Sequence, residues 1–392
     1  MQENVNAHYV TRVLDAMQQI PAAAWDDLLE RQSAPTPFMR HAYLQALQSS
    51  DSACPGTGWT LQVHTLWSDG GRTLAAACPL YVKSHSRGEY VFDWAWAEAY
   101  ERHGLAYYPK AVVAVPFTPV PGSRLLACSE AARDALLQSL LASCRAQALS
   151  SLHILFADPV DLAACARAGL MQRAQPQFHW HNSGWHDFEA FLDSLRQDKR
   201  KKIRQERRKV RDAGVVFRSV TAAQASPGDW AFMQACYQQT YWEHGNAPYL
   251  QPGFFEQMQQ AMPDHWLLFI GELGQEPVAM SLIGLQLGPQ GSAEVAYGRY
   301  WGASKRLDSL HFEACYYQPI EWCIQHGVRR FEGGAQGEHK MARALLPAHT
   351  ASAHWLAHPA FAEAVSNFLQ REGAGIQAYM EELGRHSPMR QV

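Results

Sequence analysis

Val328-Arg329-Arg330-Phe331-Glu332-Gly333-Gly334-Ala335-Gln336-Gly337-Glu338-His339-Lys340 is the stretch on which the reading of the chain turns. A strand-like run, Val328 to Phe331, ends in a loop with three glycines. Glycine takes positive φ and lets backbone approach a ligand closely. Loops at strand ends are where binding and catalytic groups concentrate. Glu332, Gln336, Glu338, His339 and Lys340 crowd into this one, placing an acid, a base and a cation within one short reach. An ordinary solvated turn is the bland alternative. Just upstream, Ser309 to His326 has helical spacing with Gly327 as its stop, and Ala293 to Tyr300 reads as a strand.

Working outward, Trp266–Leu273 and Pro277–Leu287 form a hairpin-like pair around Gly274-Gln275. The first half of the chain repeats the pattern. Arg72 to Tyr81 reads as a buried strand, Glu89 to Trp96 as a second, Glu130 to Gln147 as a helix and Leu152 to Phe156 as a strand. Asp158-Pro159 then opens another helix. Leu141-Ala-Ser-Cys144 stays in step with Ile320-Glu-Trp-Cys323, and the strand at 74–80 matches 277–283 at a different offset. The expected domains are 10–175, with an aromatic and proline-rich insertion at 96–126, and 217–356. A basic helical connector at 178–216 joins them. After a strand at 351–356, two helices in 357–392 are separated by Gly373 and Gly375. The fold class is α/β (α+β), a tandem repeat with mixed central sheets flanked by helices.

At 392 residues the chain exceeds one typical core. A net charge of −3 gives no global field for nucleic acid. No apolar run reaches membrane-spanning length, and the N-terminus has no secretory pattern, so the expected location is the cytoplasm. The eight cysteines contain no CxxC pair, which predicts reduced thiols and no metal site.

Further candidates lie outside the loop. Nine of the thirteen residues Lys199–Arg211 are Lys or Arg, with Ile203 and Val210 on one helical stripe. Lys201, Lys202 and Arg204 therefore read either as a phosphate-binding surface or as a solvated face. Arg299 and Gly302, in Arg299-Tyr-Trp-Gly302-Ala-Ser304, suggest an anion site beside a helix start, a weak motif. Trp242 and Tyr249 belong to an aromatic cluster, either a small core or a substrate groove. Tyr108, Lys110 and Phe117 sit in the 96–126 insertion, where three prolines between 116 and 121 shape the path. His311 and Glu313, two apart on a helix, point in different directions, so no metal is expected there. Tyr316 and Tyr317 read as packing.

Several phrases together resemble one family: Thr36-Pro37-Phe38, His41-Ala42-Tyr43-Leu44, Gly56-Thr57-Gly58-Trp59 and Tyr107-Tyr108-Pro109-Lys110. Val115-Pro-Phe-Thr-Pro-Val120, Lys201-Lys-Ile-Arg204 and Pro248-Tyr249-Leu250 add to them, as do Gly298-Arg-Tyr-Trp-Gly302, His311-Phe-Glu-Ala-Cys-Tyr-Tyr317 and Glu332–Lys340. From about Pro35 to Trp355 the chain resembles the peptidoglycan-related, Fem-like branch of the GNAT N-acyltransferases. The resemblance implies tandem GNAT-like domains, an amine acceptor (a small molecule or a peptide), and either acyl-CoA or aminoacyl-tRNA as co-substrate. In such a scaffold two central strands splay and the acyl donor lies between them; here these are 293–300 and 328–333. The family's pyrophosphate loop ends in Gly or Ala where this chain has Ser304, and the 178–216 segment is too short for the coiled-coil arm of many Fem enzymes.

Together these features predict an N-acyltransferase. Glu338 or His339 takes the amine proton, Gly333-Gly334 N–H groups or Lys340 steady the oxyanion, and Glu332 orients the amine. Tyr108, Lys110, Phe117, Trp242, Tyr249, Gly333, Gly334 and Gln336 bind substrate. Arg299, Gly302, Lys201, Lys202 and Arg204 hold donor phosphate, with tRNA reached through the basic helix. The other reading is a non-catalytic module that binds tRNA or an anionic cell-wall precursor.

Overall fold

The computed structural model describes residues 9–334 and 337–390. In chain order its strands are β1 (Val10–Leu14), β2 (Trp59–Ser68), β3 (Thr73–Lys83), β4 (Lys110–Val113), β5 (Leu126–Ala127), β6 (Ser151–Ala157) and β7 (Met171–His181). There follow β8 (Val215–Thr221), β9 (Trp266–Leu273), β10 (Glu276–Leu287), β11 (Ala293–Ala303), β12 (Arg330–Glu332) and β13 (Leu346–Leu356). The chain divides into two compact units. The first holds residues up to Gln175 and Thr350–Ile376; the second holds Pro176–His349 and the residues from Gln377 on.

Within the first unit the strand order is β1-β2-β3-β4-β6-β13, with β5 beside β3. Neighbours are antiparallel except β4 and β6, which run parallel with Val113 opposite Ile154. The helix Glu130–Ala146 covers this sheet. Ser129 caps it by accepting from Ala132 N, and Leu136, Leu137, Leu140 and Leu141 face Leu80, Val113, Leu152 and Ile154. The helix from Pro159 starts as its sequence requires, with Asp158 accepting from Asp161 N.

The second unit repeats the order as β8-β9-β10-β11-β12-β7, again with one parallel pair, β11 and β12. Its covering helix runs through Leu310–Phe312, Glu313–Tyr317 and Gln318–Gln325, the middle part being a π-helical turn. Ile320, Cys323 and Ile324 pack with Phe331, Ile283 and Phe269. In each unit the last strand lies outside the contiguous repeat: β13 follows the second repeat in sequence and pairs in the first unit, while Pro176–His181 of β7 pairs in the second.

Two expected elements differ. Glu89 to Trp96 is not a strand; residues 84–93 form a loop and a helix begins at Trp94. Glu89 and Asp93 turn inward to Lys110, so a buried ion pair overrides the β-prone Val91, Phe92 and Trp94. The two C-terminal helices are one, Pro359–Arg385, which passes through Gly373 and Gly375. Two glycines cost about 1 kcal/mol each against Ala, too little to break a long helix whose Val365, Leu369, Met380 and Leu383 are buried. The segment expected as a connector, 178–216, supplies Phe188–Asp193, Gln197–Asp212 and the first two residues of β8 to the second unit, and the expected insertion supplies β4, a central strand of the first.

Candidate functional site

The parallel pair of the second unit is short. β12 pairs with β11 only at Val295–Arg330, Ala296–Phe331 and Tyr297–Glu332. Beyond that point β11 runs on to Ala303, and no strand among the described residues pairs with it on that side. The ladder between the expected pair, 293–300 and 328–333, therefore ends at Tyr297–Glu332. Gly298 and Gly333 line the fork. A Cβ at Gly298 would lie 3.4 Å from Glu332 O, and one at Gly333 would meet Leu345 Cδ2 at 2.6 Å, Tyr316 Cε1 at 3.4 Å and Lys340 Cδ at 3.5 Å. Gly334 takes φ +79, a conformation that favours glycine.

Polar side chains gather at this fork. Glu332 is the last residue of β12 and is buried; burial pushes its carboxyl up to about 7, against the opposing charge of Arg330. Arg330 Nε lies 3.0 Å from Oε1, while Oε2 has no hydrogen-bond partner among the described residues; His179 Nε2 stands 3.7 Å away. Lys340 is buried, donates to Gly334 O at 2.7 Å, and is lowered by burial to about 8. His339 is exposed, and its Nε2 lies 3.2 Å from the Tyr316 hydroxyl. Partial burial, then Lys340 and Arg343, lower the imidazole below its ordinary value, so it is neutral at pH 7. Glu338 accepts a hydrogen bond from the Tyr379 hydroxyl. Gln336 lies outside the described residues.

The turn that carries His339 and Lys340, Glu338–Arg343, is pinned from below. Arg343 donates to His339 O at 2.7 Å and to both oxygens of Glu206 at 3.1 and 3.0 Å, and its guanidinium lies 3.5 Å from the centre of the Phe312 ring. Glu206 also receives the Tyr317 hydroxyl. None of Tyr316, Tyr317, Arg343 or Glu206 stood out as functional in the sequence. The signal lay in the π turn at 313–317, which no hydrophobic period reveals. His311, from the same helix, stacks edge-on with Trp301 at 5.0 Å, and burial lowers it to about 4.

The remaining candidates fall elsewhere. Gly302 lets the helix Pro227–Glu243 approach β11: a Cβ there would lie 2.5 Å from Cys236 O, and Thr240 Oγ1 donates to Trp301 O at 2.9 Å. Arg299 donates to the Tyr300 hydroxyl at 3.2 Å. Trp242 is 63% exposed near the end of that helix, and Tyr249 packs on Tyr241 at 5.5 Å. On the basic helix Gln197–Asp212, Arg204 pairs with Glu189, Arg200 with Asp193, Lys209 with Asp308, and Arg207 with Glu313 and Glu321. Lys201, Lys202, Arg208 and Arg211 are exposed and have no ion-pair partner among the described residues.

Tyr108, Lys110 and Phe117 belong to the first unit. Lys110 is fully buried and gives its three hydrogens to Ser86 Oγ at 2.7 Å, Glu89 at 2.8 Å and Asp93 at 2.5 Å. Tyr108 bonds to Ser86 at 2.8 Å and lines a cavity of about 490 Å³ with Arg145 and Trp355. Phe117, at φ +59, packs on Trp59.

The sequence matches the FemAB-like family, described as peptidoglycan biosynthesis/recognition, over residues 16–391. The chain belongs to this family. No curated protein matches it. Among solved structures it is similar to FemX, with a TM-score of 0.55 at 10% identity, covering 91% of this chain and 100% of that one. It is also similar to L-PGS from Bacillus licheniformis, with a TM-score of 0.53 at 11% identity, covering 89% and 97% respectively. The fold of this FemAB-like protein is mixed α/β, with one strand order repeated in its two units and helices flanking the strands. No helix among the described residues is long and apolar enough to cross a membrane.

Proposed function

We propose that this protein transfers an acyl or aminoacyl group to an amine, with the chemistry at the fork between β11 and β12. The observation that carries the reading is the end of the parallel ladder at Tyr297–Glu332, where Gly333 and Gly334 follow with Lys340 bonded to Gly334 O and Tyr316 bonded to His339 beside Gly333. The amine nitrogen attacks the donor carbonyl carbon, and the bond from that carbon to the donor's oxygen or sulfur breaks. Neutral His339 takes the amine proton. The N–H groups of Gly333 and Gly334, with Lys340, steady the oxyanion. Glu332, half-titrated near neutrality, orients the amine. FemAB-like membership favours an aminoacyl-tRNA donor and an amine-bearing peptidoglycan precursor as acceptor. The tRNA backbone would run along Lys201, Lys202, Arg208 and Arg211, the exposed cations of the basic helix that its carboxylates leave over. Acyl-CoA is the other donor to try.

The test incubates the full chain with charged tRNA, and separately with acyl-CoA, together with amine-bearing precursors, and reads acceptor mass. A gain of one acyl or aminoacyl residue, reduced about 10²–10⁴-fold by His339→Ala, is expected. Absence of transfer from either donor class would overturn the reading.

A further inference from the structure

We infer that Tyr316 and His339 act as one proton-accepting pair, in which the tyrosine hydroxyl donates to imidazole Nε2 and relays the acceptor's proton to it. The catalytic part of this inference rests on the transfer reading; the hydrogen-bond polarity does not.

The geometry supplies the pair. Tyr316 is 4% exposed, with its hydroxyl 3.2 Å from Nε2 of the exposed His339. Its ring edge lies beside Gly333, where a Cβ would stand 3.4 Å from Cε1, so the phenol borders the fork itself. A neutral imidazole has one donor and one acceptor nitrogen, and a phenol is a better donor than acceptor. Burial raises the Tyr316 phenol above its ordinary value, so it keeps its proton at neutral pH. The favoured arrangement is therefore O–H to Nε2, with the imidazole proton on Nδ1.

The fold holds both members. The π turn at 313–317 aims two consecutive tyrosines at the same short turn: Tyr316 holds the His339 side chain, while Tyr317 holds Glu206. Glu206 binds Arg343, which in turn holds His339 O. Gly337, at φ +113, makes room for the ring, since a Cβ there would lie 2.4 Å from His339 Cε1. The groups facing the imidazole are Tyr316 and His311 from the covering helix, and Lys340 and Arg343 from its own turn. Lys340 and Arg343 oppose an imidazolium at rest. Glu338 directs its carboxylate to Tyr379.

In the transfer step the amine proton passes to the Tyr316 oxygen as the Tyr316 proton passes to Nε2, leaving an imidazolium and a neutral phenol. The nitrogen–carbonyl bond forms, the carbonyl's bond to the donor oxygen or sulfur breaks, and the leaving atom departs with the bonding pair and takes the proton from the imidazolium.

The experiment records long-range 1H–15N spectra of the histidine rings in the full chain, assigned with His339→Gln. Wild type is expected to show His339 as the Nδ1–H tautomer. Tyr316→Phe removes the bond to the neutral ring, so the His339 pKa rises and the tautomers mix; Tyr317→Phe leaves the tautomer alone. In the transfer assay Tyr316→Phe lowers kcat about 10²-fold or more with KM little changed, and moves the acid limb of the pH profile upward. An Nε2–H tautomer in wild type, or a wild-type rate in Tyr316→Phe, overturns the inference. If wild type transfers from no donor, the functional reading fails, while the tautomer still decides the pair. Should Tyr316→Phe fail to fold, the wild-type spectrum alone decides between the two tautomers.

Discussion

The two units share a strand order and treat its centre in opposite ways. In the first, the parallel pair ends at Val113–Ile154, and the chain folds back into the space beyond. Gly122 N donates to Phe156 O at 3.0 Å, and the buried Arg124 donates from Nε to Leu155 O at 3.0 Å. In the second unit the pair ends at Tyr297–Glu332, glycines line the fork, and an exposed histidine stands at its mouth. Both units bury groups shifted toward neutrality, Glu89, Lys83 and Asp161 in the first and Glu332 and Lys340 in the second, but their buried lysines find different acceptors. Burial alone would lower Lys110, yet Glu89 and Asp93 raise it, so it is a saturated structural cation. Lys340 donates to a backbone carbonyl, Gly334 O, and burial brings it down to about 8. A duplicated scaffold thus fills the space beyond the parallel pair in one copy and lines it with glycines in the other.

This contrast can be broken by changing its charges. The largest effect is expected in the closed unit. Lys110→Met leaves Glu89 and Asp93 buried without their cation, and should cost about 3–5 kcal/mol in urea unfolding. A loss below about 1 kcal/mol would mean that Lys110 is not the keystone of that unit. Next comes Glu332→Gln in the open unit. The carboxyl is raised in the fold, to about 7, so its protonated form is favoured there. Wild-type stability is then fullest below the unfolded carboxylate range and declines as pH rises through 7. The amide escapes that decline, so the variant should match wild type at about pH 4 and exceed it at about pH 8 by on the order of 1–3 kcal/mol. Equal pH dependence of melting in the two proteins would remove the buried acid from the comparison. The smallest effect concerns the basic helix. Changing Lys201, Lys202, Arg208 and Arg211 to Gln should alter stability by less than about 0.5 kcal/mol, since none has an ion-pair partner among the described residues. The same change should flatten the salt dependence of tRNA binding. An unchanged salt slope would assign these residues to solvent alone.

Much of this arrangement was legible in the residues. Local rules sufficed where neighbours in sequence decide the structure: Asp158-Pro159 opened a helix, Gly327 closed one, and the 328–340 stretch marked the strand end and its polar loop. The self-similarity of 141–144 and 320–323 reflects the covering helices of two equivalent sheets. What escaped depends on distant partners. Glu89–Trp96 has a strand's composition, but Lys110 draws its acids inward. Tyr316 and Tyr317 resemble packing residues until the π turn aims their hydroxyls at His339 and Glu206. Half the basic helix spends its charge on Glu189, Asp193, Asp308, Glu313 and Glu321, which only the fold brings near.

The claim that the open fork of the second unit holds the chemistry has a direct test. Hydrogen–deuterium exchange of the full chain would be measured with and without an unreactive aminoacyl-tRNA or acyl-CoA analogue. Slowed exchange is expected in 298–303 and 337–345, with 113–125 unchanged. Protection confined to 113–125, with the fork unaffected, would contradict it.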